Sequence, residues 1–214
     1  MARQLRAEQT RATIITAAAD LFDRHGYECT SLSDIVGHAQ VTKGALYFHF
    51  AAKEELAHAI LELNARAARA LVTEADSRGC ASLEALIRTT FGIARLAVKD
   101  PVPRAALRLA TADVPLRPPL RHPFTEWLDF ATRMFTGAVR EADVHRELDV
   151  GIVAHSLVSF FVGTRVAGRS LEPVGRLPRR VAEMWHLLIR SLVPVHRRPR
   201  YLTLATQLEG EIRN

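Results

Sequence analysis

The sequence predicts an all-helical protein with two domains, a small N-terminal one over residues 1–75 and a larger one over residues 76–214. Apolar residues recur at three- and four-residue spacing, and no stretch of convincing length alternates with period two. All ten prolines fall at or after Pro101, so the first hundred residues contain no helix breaker of that kind. Apolar residues make up 48% of the chain, enough for a sizeable core.

The first domain is predicted to contain four helices. The first runs from about residue 8 to 25, where Gly26 ends it. Ser31 and Thr42 are suited to N-cap two short helices, because their hydroxyls can accept a hydrogen bond from a first-turn N–H. A longer helix begins near Lys53 and continues past Leu71. The two short helices are joined by a tight turn and form a helix-turn-helix over residues 31–50.

The second domain is predicted to be entirely helical. A proline-rich bend separates its early helices from the later ones over residues 115–123. The expected helices cover residues 83–98, a shorter stretch from Pro101, and residues 123–141, 149–168, 178–193 and 199–212.

Composition indicates a cytoplasmic protein. Cys29 and Cys80 are far apart, with no metal or redox spacing, which suits a reducing compartment. The polar N-terminus leads into no apolar signal core. The uncharged run between Asp149 and Arg165 is shorter than the ~20 residues that span a bilayer, so we expect no membrane association. The net charge of +6 favours DNA only weakly, since residues 1–50 carry equal numbers of acidic and basic side chains.

The second short helix of the helix-turn-helix has the side chains of a major-groove reader. Lys43 can donate to guanine O6 and N7, and Gly44 lets the backbone approach closely. Ala45 can present a methyl group to a base step. Other side chains carry donors for phosphate oxygens, namely Thr42, Tyr47 and His49. Three apolar side chains are better suited to packing, namely Val41, Leu46 and Phe50.

The sequence of this region resembles the N-terminal signature of TetR-family repressors over roughly residues 8–68. The resemblance is carried by Gly26-Tyr27, Thr30-Ser31, Ile35-Val36, the run 41–50 (VTKGALYFHF) and the run 53–56 (KEEL). Residues 1–11, 48–53, 117–119 and 122–127 are further similar to the γ-butyrolactone autoregulator receptors within that family. This resemblance implies a homodimer that binds a palindromic operator in double-stranded DNA and releases it when a γ-butyrolactone-type molecule enters the C-terminal domain. It also implies control of secondary metabolism or differentiation.

Two sets of contact residues are therefore expected. Arg3, Arg6 and Arg11 form a basic lead-in that can reach phosphates or a minor groove. The full DNA-binding set is Arg3, Arg6, Arg11, Ser33, Thr42, Lys43, Gly44, Ala45, Tyr47, His49 and Lys53. For the ligand, the resemblance points to Trp127, whose indole can pack on a lactone ring and donate to its carbonyl. The expected apolar walls are Ile87, Phe91, Leu109, Val158, Phe161 and Val162, with Thr164 as a hydroxyl donor.

Dimerisation is expected to use two helices with wide apolar faces. One lies between Asp149 and Arg165, and the other carries Met184, Trp185, Leu188 and Ile189. Pairing with a symmetry mate gives a four-helix interface that spaces two DNA-reading heads. Ligand would shift the helix that starts at Pro101 and the helix that starts at Lys53, changing that spacing, with Pro115 in the bend that transmits the movement.

Two kinds of alternative remain open from the residues. One is another DNA-binding protein, either a receptor-like regulator that answers to a different small molecule or an architectural protein without a ligand, which the large apolar second domain disfavours. The other is a di-metal helical-bundle enzyme, since Glu55/His58 and Glu183/His186 have the Glu-x-x-His spacing of such sites. At ~100° per residue, both pairs point away from the apolar stripe of their helix. No nucleophile elbow, phosphate loop or zinc spacing occurs in the sequence, so we expect no enzyme activity, cofactor or metal.

Overall fold

The computed structural model describes residues 2–112 and 123–213, without the side chains of residues 2–3, 123, 168–170 and 213. Within these ranges every regular element is helical, which confirms the predicted fold class. The α-helices are α1 (Ala2–His25), α2 (Leu32–Ala39), α3 (Lys43–His49), α4 (Lys53–Ser77), α5 (Ser82–Lys99), α6 (Pro101–Thr111), α7 (Pro123–Arg140), α8 (Val150–Leu171), α9 (Leu177–Leu192) and α10 (Arg198–Arg213). Short 3-10 turns, Val174–Arg176 and Val195–Arg197, precede α9 and α10. Pro115 lies outside the described residues.

The chain forms two compact units. The N-terminal unit comprises Met1–Ala67 and Lys99–Pro123, and the C-terminal unit comprises Ala68–Val98 and Phe124–Asn214. The division therefore falls within α4, earlier than the predicted boundary at residue 75, and α6 belongs to the N-terminal unit. The reason for the second difference is the apolar face of α6, which is buried in the same core as α1 and α4.

Two arginines of α6 hold the C-terminal end of α1 within the N-terminal unit. The Arg104 Nε donates to the Asp23 carboxylate over 2.8 Å, and the Arg108 Nη1 donates to the Asp23 carbonyl over 2.6 Å. Gly26 ends α1 with a φ of +91°, where an added Cβ would lie 2.9 Å from the Arg108 guanidinium. The left-handed backbone therefore favours glycine here, and an added Cβ would also force the end of the Arg108 side chain to shift.

The helix-turn-helix is fixed by local caps of the kind that the sequence predicts. The Ser31 hydroxyl accepts from the Asp34 N–H, and the Asp34 carboxylate accepts from the Ser31 N–H, so the two form a capping box. Hydrogen bonds from Ser31 are the main cause of the lowered pKa of Asp34. The Thr42 hydroxyl accepts from the Ala45 N–H over 3.1 Å and caps α3. Both predicted N-caps are confirmed.

The C-terminal unit has a large apolar core to which α5, α7, α8, α9 and α10 contribute. Trp185 is completely buried, and its Nε1 donates to the Thr90 hydroxyl over 2.7 Å. Thr90 in turn donates to the Ile87 carbonyl over 2.7 Å. Because a buried indole N–H without a partner is costly, this pair fixes α9 against α5.

Candidate nucleic-acid interface and ligand-binding core

Helix α3 has one buried side and one open side. Leu46 is fully buried, whereas Lys43, Gly44, Tyr47 and Phe48 are exposed. At ~100° per residue, Lys43 and Tyr47 form one row along the helix, and Gly44 and Phe48 form the adjacent row, opposite Leu46. The outward projection that DNA reading requires is therefore present in the described part of the chain.

Gly44 is not explained by crowding within the protein. An added Cβ would have the Thr42 Oγ1 at 4.0 Å as its only neighbour within that distance among the described atoms. The position is helical and does not need a left-handed backbone. The missing side chain instead leaves the helix surface flat where it faces outward, which suits close approach to another molecule.

The remaining predicted residues of α3 lie towards its edges. Thr42 is exposed, and because its oxygen accepts from the Ala45 N–H, its hydroxyl hydrogen stays available for an outside acceptor. Ala45 and His49 are half-buried. The His49 ring makes an edge contact with Phe48, at 5.0 Å between centroids, and lies 6.4 Å from Phe50.

The basic lead-in is helical, not an extended arm. Helix α1 begins at Ala2, earlier than the predicted start near residue 8, so Arg6 and Arg11 are spaced along its exposed side. The Arg11 guanidinium lies 5.2 Å from the Phe50 ring centroid, which brings the charge to the end of α3. Ser33 is exposed in the first turn of α2. The side chain of Arg3 lies outside the described residues.

Lys53 has a structural role that the sequence reading did not anticipate. Its Nζ donates to the carbonyls of Tyr27 and Thr30 over 2.9 and 3.1 Å, and lies 4.2 Å from the Tyr27 ring centroid. Burial, together with the carboxylates of Glu54 and Glu28, raises the pKa of Tyr27 and keeps its ring neutral beneath the ammonium. Two of its three N–H donors are thus used inside the unit, so Lys53 supports the α1–α2 loop, and its contact with DNA remains a prediction.

Most of the predicted ligand residues belong to one apolar core in the C-terminal unit. Ile87, Phe91 and Phe161 are buried there, and Trp127 and Val158 are partly buried against it. Trp127 packs edge-on to Phe130, with 6.4 Å between ring centroids. Val162 and Thr164 are half-buried on α8. A cleft of about 100 Å³ between α4, α5 and α10 includes Phe91 but none of the other predicted ligand residues.

Leu109 lies in a different core from the other predicted apolar walls that are buried. It is buried in the core of the N-terminal unit, together with residues of α1 and α4. The sequence pattern marked Leu109 correctly as apolar and inward-facing but did not reveal which core it enters.

The predicted dimer face of α9 also needs correction. Met184, Trp185 and Ile189 are buried in their own unit, and the exposed apolar residue of α9 is Leu187. Helix α8 does present an open apolar side with Ile152 and Phe160.

In the described residues, one helical segment is long and apolar enough to cross a membrane, Val150–Ala167, and only 17% of it is buried.

The residues of the enzyme alternative have other partners. Glu55 accepts from the Ala51 N–H over 2.9 Å at the start of α4. Glu183 pairs with Arg179 and Arg180, whose hydrogen bonds outweigh the effect of burial and lower the pKa of Glu183. The described residues contain no group of three or more His, Cys, Asp or Glu side chains arranged to hold a metal ion.

Comparisons with known proteins relate both units to one family. Residues 14–60 match the bacterial regulatory proteins of the tetR family, and residues 80–194 match the tetracyclin repressor-like C-terminal domain. The A-factor receptor protein of Streptomyces griseus is 34% identical over 192 residues, which are 90% of this chain and 67% of that protein.

Solved structures support the same relationship. The TetR-family protein CprB of Streptomyces coelicolor A3(2) is 66% identical with a TM-score of 0.91, covering 96% of this chain and 99% of that chain. CprB in complex with its biological operator sequence is also 66% identical, with a TM-score of 0.89 over 95% of this chain and 98% of that chain. An ArpA-like γ-butyrolactone receptor is 64% identical, with a TM-score of 0.87 over 96% and 99% of the two chains. The chain therefore belongs to the tetR family of bacterial regulatory proteins and is a DNA-binding transcriptional repressor with a C-terminal ligand-binding domain.

Proposed function

We propose that this protein is a homodimeric repressor that binds a palindromic operator and leaves it when a γ-butyrolactone-type signal enters its C-terminal unit. In this role it controls secondary metabolism or differentiation. The single observation that carries the proposal is the open face of α3, where Lys43 and Tyr47 offer donors beside the flat surface at Gly44. A short helix with donors on an exposed face and a buried opposite side is suited to the major groove.

The proposed DNA contacts divide into two kinds. Lys43 reads a guanine edge, Gly44 allows close approach, and Ala45 contributes a methyl group from the edge of α3. Phosphates are bound by the exposed or half-exposed side chains of Arg6, Arg11, Ser33, Thr42, Tyr47 and His49. Arg3, at the start of the basic lead-in, completes the proposed phosphate contacts. The operator-bound structure of CprB, at 66% identity, supports this use of the N-terminal unit.

The open apolar side of α8 supports homodimerisation. Ile152 is 66% exposed and Phe160 is 40% exposed, although both lie on a strongly apolar helix. Single exposed apolar residues are ordinary, but a helix-long apolar surface on a protein of this family indicates an interface. A second copy pairing α8 with α8 across a two-fold axis buries it and sets two DNA-reading heads for a palindrome.

Trp127 is the proposed ligand anchor in the C-terminal unit. It is partly buried against the core that also contains Ile87, Phe91 and Phe161. Val158 and Val162 extend the apolar wall, and Thr164 supplies a hydroxyl. The ArpA-like γ-butyrolactone receptor and the A-factor receptor protein support this ligand class.

Release is proposed to act through helices that contribute to the N-terminal unit. Helix α6 is fastened to α1 by the Arg104 and Arg108 bonds to Asp23, so a shift of α6 pulls on α1 directly. Helix α4 begins against the α1–α2 loop through Lys53. Movement of either helix changes the spacing of the two DNA-reading heads. The side chains that bind phosphates then no longer align with them in either half-site.

The protein acts by binding, in the cytoplasm, without catalysis. The matched relatives are regulators and receptors, and a repressor must reach the chromosome. No cofactor is needed for either binding event.

A gel-shift titration tests the proposal. The full-length protein is first used to select duplexes from a random-sequence pool, and a selected duplex is then titrated with protein, with and without synthetic γ-butyrolactones of different alkyl tails. Palindromic selected sequences and release by a lactone support the proposal. Specific DNA binding that no lactone reverses favours a receptor-like regulator for a different small molecule, and absence of sequence-specific binding refutes the proposed function.

A further inference from the structure

Phe48 is an exposed aromatic side chain on the same face as the predicted DNA contacts. It is 79% exposed, whereas Leu46, two residues earlier on the same helix, is completely buried. Phe48 follows Gly44 by four residues, so the two lie in the same row of the outward face. An apolar ring is therefore held in water directly beside the flat surface at Gly44.

The ring is oriented by its neighbour. His49 packs against it edge-on, with 5.0 Å between centroids and 82° between ring planes. His49 is itself half-buried and lies 6.4 Å from the buried Phe50. Phe48 thus projects from a supported position, which is what a recognition side chain needs.

The chemistry of phenylalanine narrows what it can contact on DNA. It has no donor for phosphate oxygens or base acceptors, in contrast to Lys43 and Tyr47 in the adjacent row. The apolar group that base edges present in the major groove is the C5-methyl of thymine. Because Gly44 lets this row approach the groove floor most closely, the ring is positioned for a base edge more than for the sugars at the rim.

We infer that Phe48 is a specificity-determining residue that recognises a thymine through its C5-methyl group, once in each half of the operator. The inference rests on the proposed function and adds a residue to the predicted contacts. Through this apolar contact, the protein prefers thymine over cytosine at one position of each half-site. The preference is independent of the hydrogen bonds made by Lys43.

Deoxyuridine scanning tests this inference. In a duplex selected by the full-length protein, each symmetric pair of thymines is replaced in turn by deoxyuridine, which removes the methyl group and keeps the base pair. At one pair we expect the parent protein to bind about fourfold more weakly per half-site, the effect of losing one buried methylene-sized group. Phe48→Ala should bind the thymine duplex more weakly and no longer distinguish it from the deoxyuridine duplex at that pair.

The controls separate the inference from the proposed function. Tyr47→Phe removes only a hydroxyl from the adjacent row and should keep the thymine preference, and Phe48→Leu should keep part of it. The inference is overturned if no deoxyuridine substitution lowers the affinity of the parent protein for the duplex. It is also overturned if Phe48→Ala keeps the full preference for thymine over deoxyuridine. If Phe48→Ala binds more weakly but no deoxyuridine substitution has an effect, the ring contacts a sugar instead. In those cases the repressor function stands, whereas a parent protein that selects no duplex overturns both. Thermal unfolding should be unchanged in Phe48→Ala and Phe48→Leu, since the ring is exposed.

Discussion

The Lys53 ammonium lies 4.2 Å from the centre of the Tyr27 ring and donates to the Tyr27 carbonyl over 2.9 Å. A further bond to the Thr30 carbonyl over 3.1 Å joins the first turn of α4 to the loop between α1 and α2. The Lys53 ammonium thus stabilises the loop that precedes the helix-turn-helix, and its charge interacts with groups of the protein itself. This relationship predicts that Lys53 positions the α1–α2 loop and does not bind phosphate.

The salt dependence of operator binding should reveal that distinction. Lys53→Met is expected to lower the free energy of unfolding by roughly 1–2 kcal/mol, because two carbonyls lose a charged donor. It should weaken operator binding without changing the slope of log affinity against log salt. Arg6→Met, at an exposed position on α1, should reduce that slope by about one per copy while leaving stability unchanged. If Lys53→Met reduces the slope as much as Arg6→Met does, Lys53 contacts a phosphate.

The apolar side of α8 should determine the oligomeric state. Ile152→Glu combined with Phe160→Glu places two charges on the proposed interface and is expected to give a folded monomer with weak operator binding, measured by sedimentation and gel shift. Val195→Glu is the matched control, because Val195 is 71% exposed outside α8 and α9. A double variant that remains dimeric would show that the interface lies elsewhere.

Trp127 should separate DNA binding from release. Trp127→Ala is expected to bind the selected duplex as the parent does but to need at least tenfold more lactone for release, on the order of 1.4 kcal/mol. Trp127→Phe keeps an aromatic ring against Phe130 and should lose less. Gel shifts over a lactone series measure both effects. If the Trp127→Ala protein leaves the DNA at the same lactone concentration as the parent, Trp127 is not part of the ligand site.

Glu84 should contribute to the loss of stability in acid. Burial alone raises the pKa of Glu84, but hydrogen bonds from Arg88 and Arg200, each over 2.9 Å, outweigh it and hold the pKa below its ordinary value of 4.5. Because the pKa is lower in the folded chain, the unfolded chain takes up the proton first. The stabilisation is therefore complete above about pH 4.5 and is lost as the pH falls below it.

Urea unfolding between pH 6 and pH 3 measures this contribution. Glu84→Gln should be less stable than the parent at pH 6 and should show a smaller decline towards pH 3, because this pH range includes the ordinary glutamate pKa of 4.5. Glu62→Gln is the control, because Glu62 lies 3.8 Å from Arg66 on an exposed surface and should leave the profile unchanged. Parallel profiles for Glu84→Gln and the parent would contradict the assignment.

The features that the sequence predicted correctly depend on nearby residues. The caps at Ser31 and Thr42, the glycine stop at Gly26 and the helical periods involve residues within one turn of each other. The early start of α1 was missed because the sequence of residues 1–7 contains no Ser, Thr, Asp or Asn to mark an N-cap, although these residues favour helix.

The features that sequence analysis missed depend on distant residues. The partners Thr90 and Trp185 are far apart in sequence, so periodicity could mark each as inward-facing but could not pair them. For the same reason, the sequence could not show that Leu109 enters the core of the N-terminal unit. Lys53 carries a charge at a helix start, a pattern that fits phosphate binding and internal support equally well. Phe48 was overlooked because an apolar residue on a short helix is ordinarily taken as core.

The measurement closest to the central claim is the affinity of Lys43→Ala for a duplex selected by the parent protein. Lys43 lies on the exposed face of α3 with Gly44 and Tyr47, so truncating it should leave thermal unfolding unchanged. We expect specific binding to weaken by ~1–3 kcal/mol and the preference for guanine at one position to relax. A folded Lys43→Ala protein that binds the duplex as tightly as the parent would contradict the assignment of α3 as the DNA-reading helix.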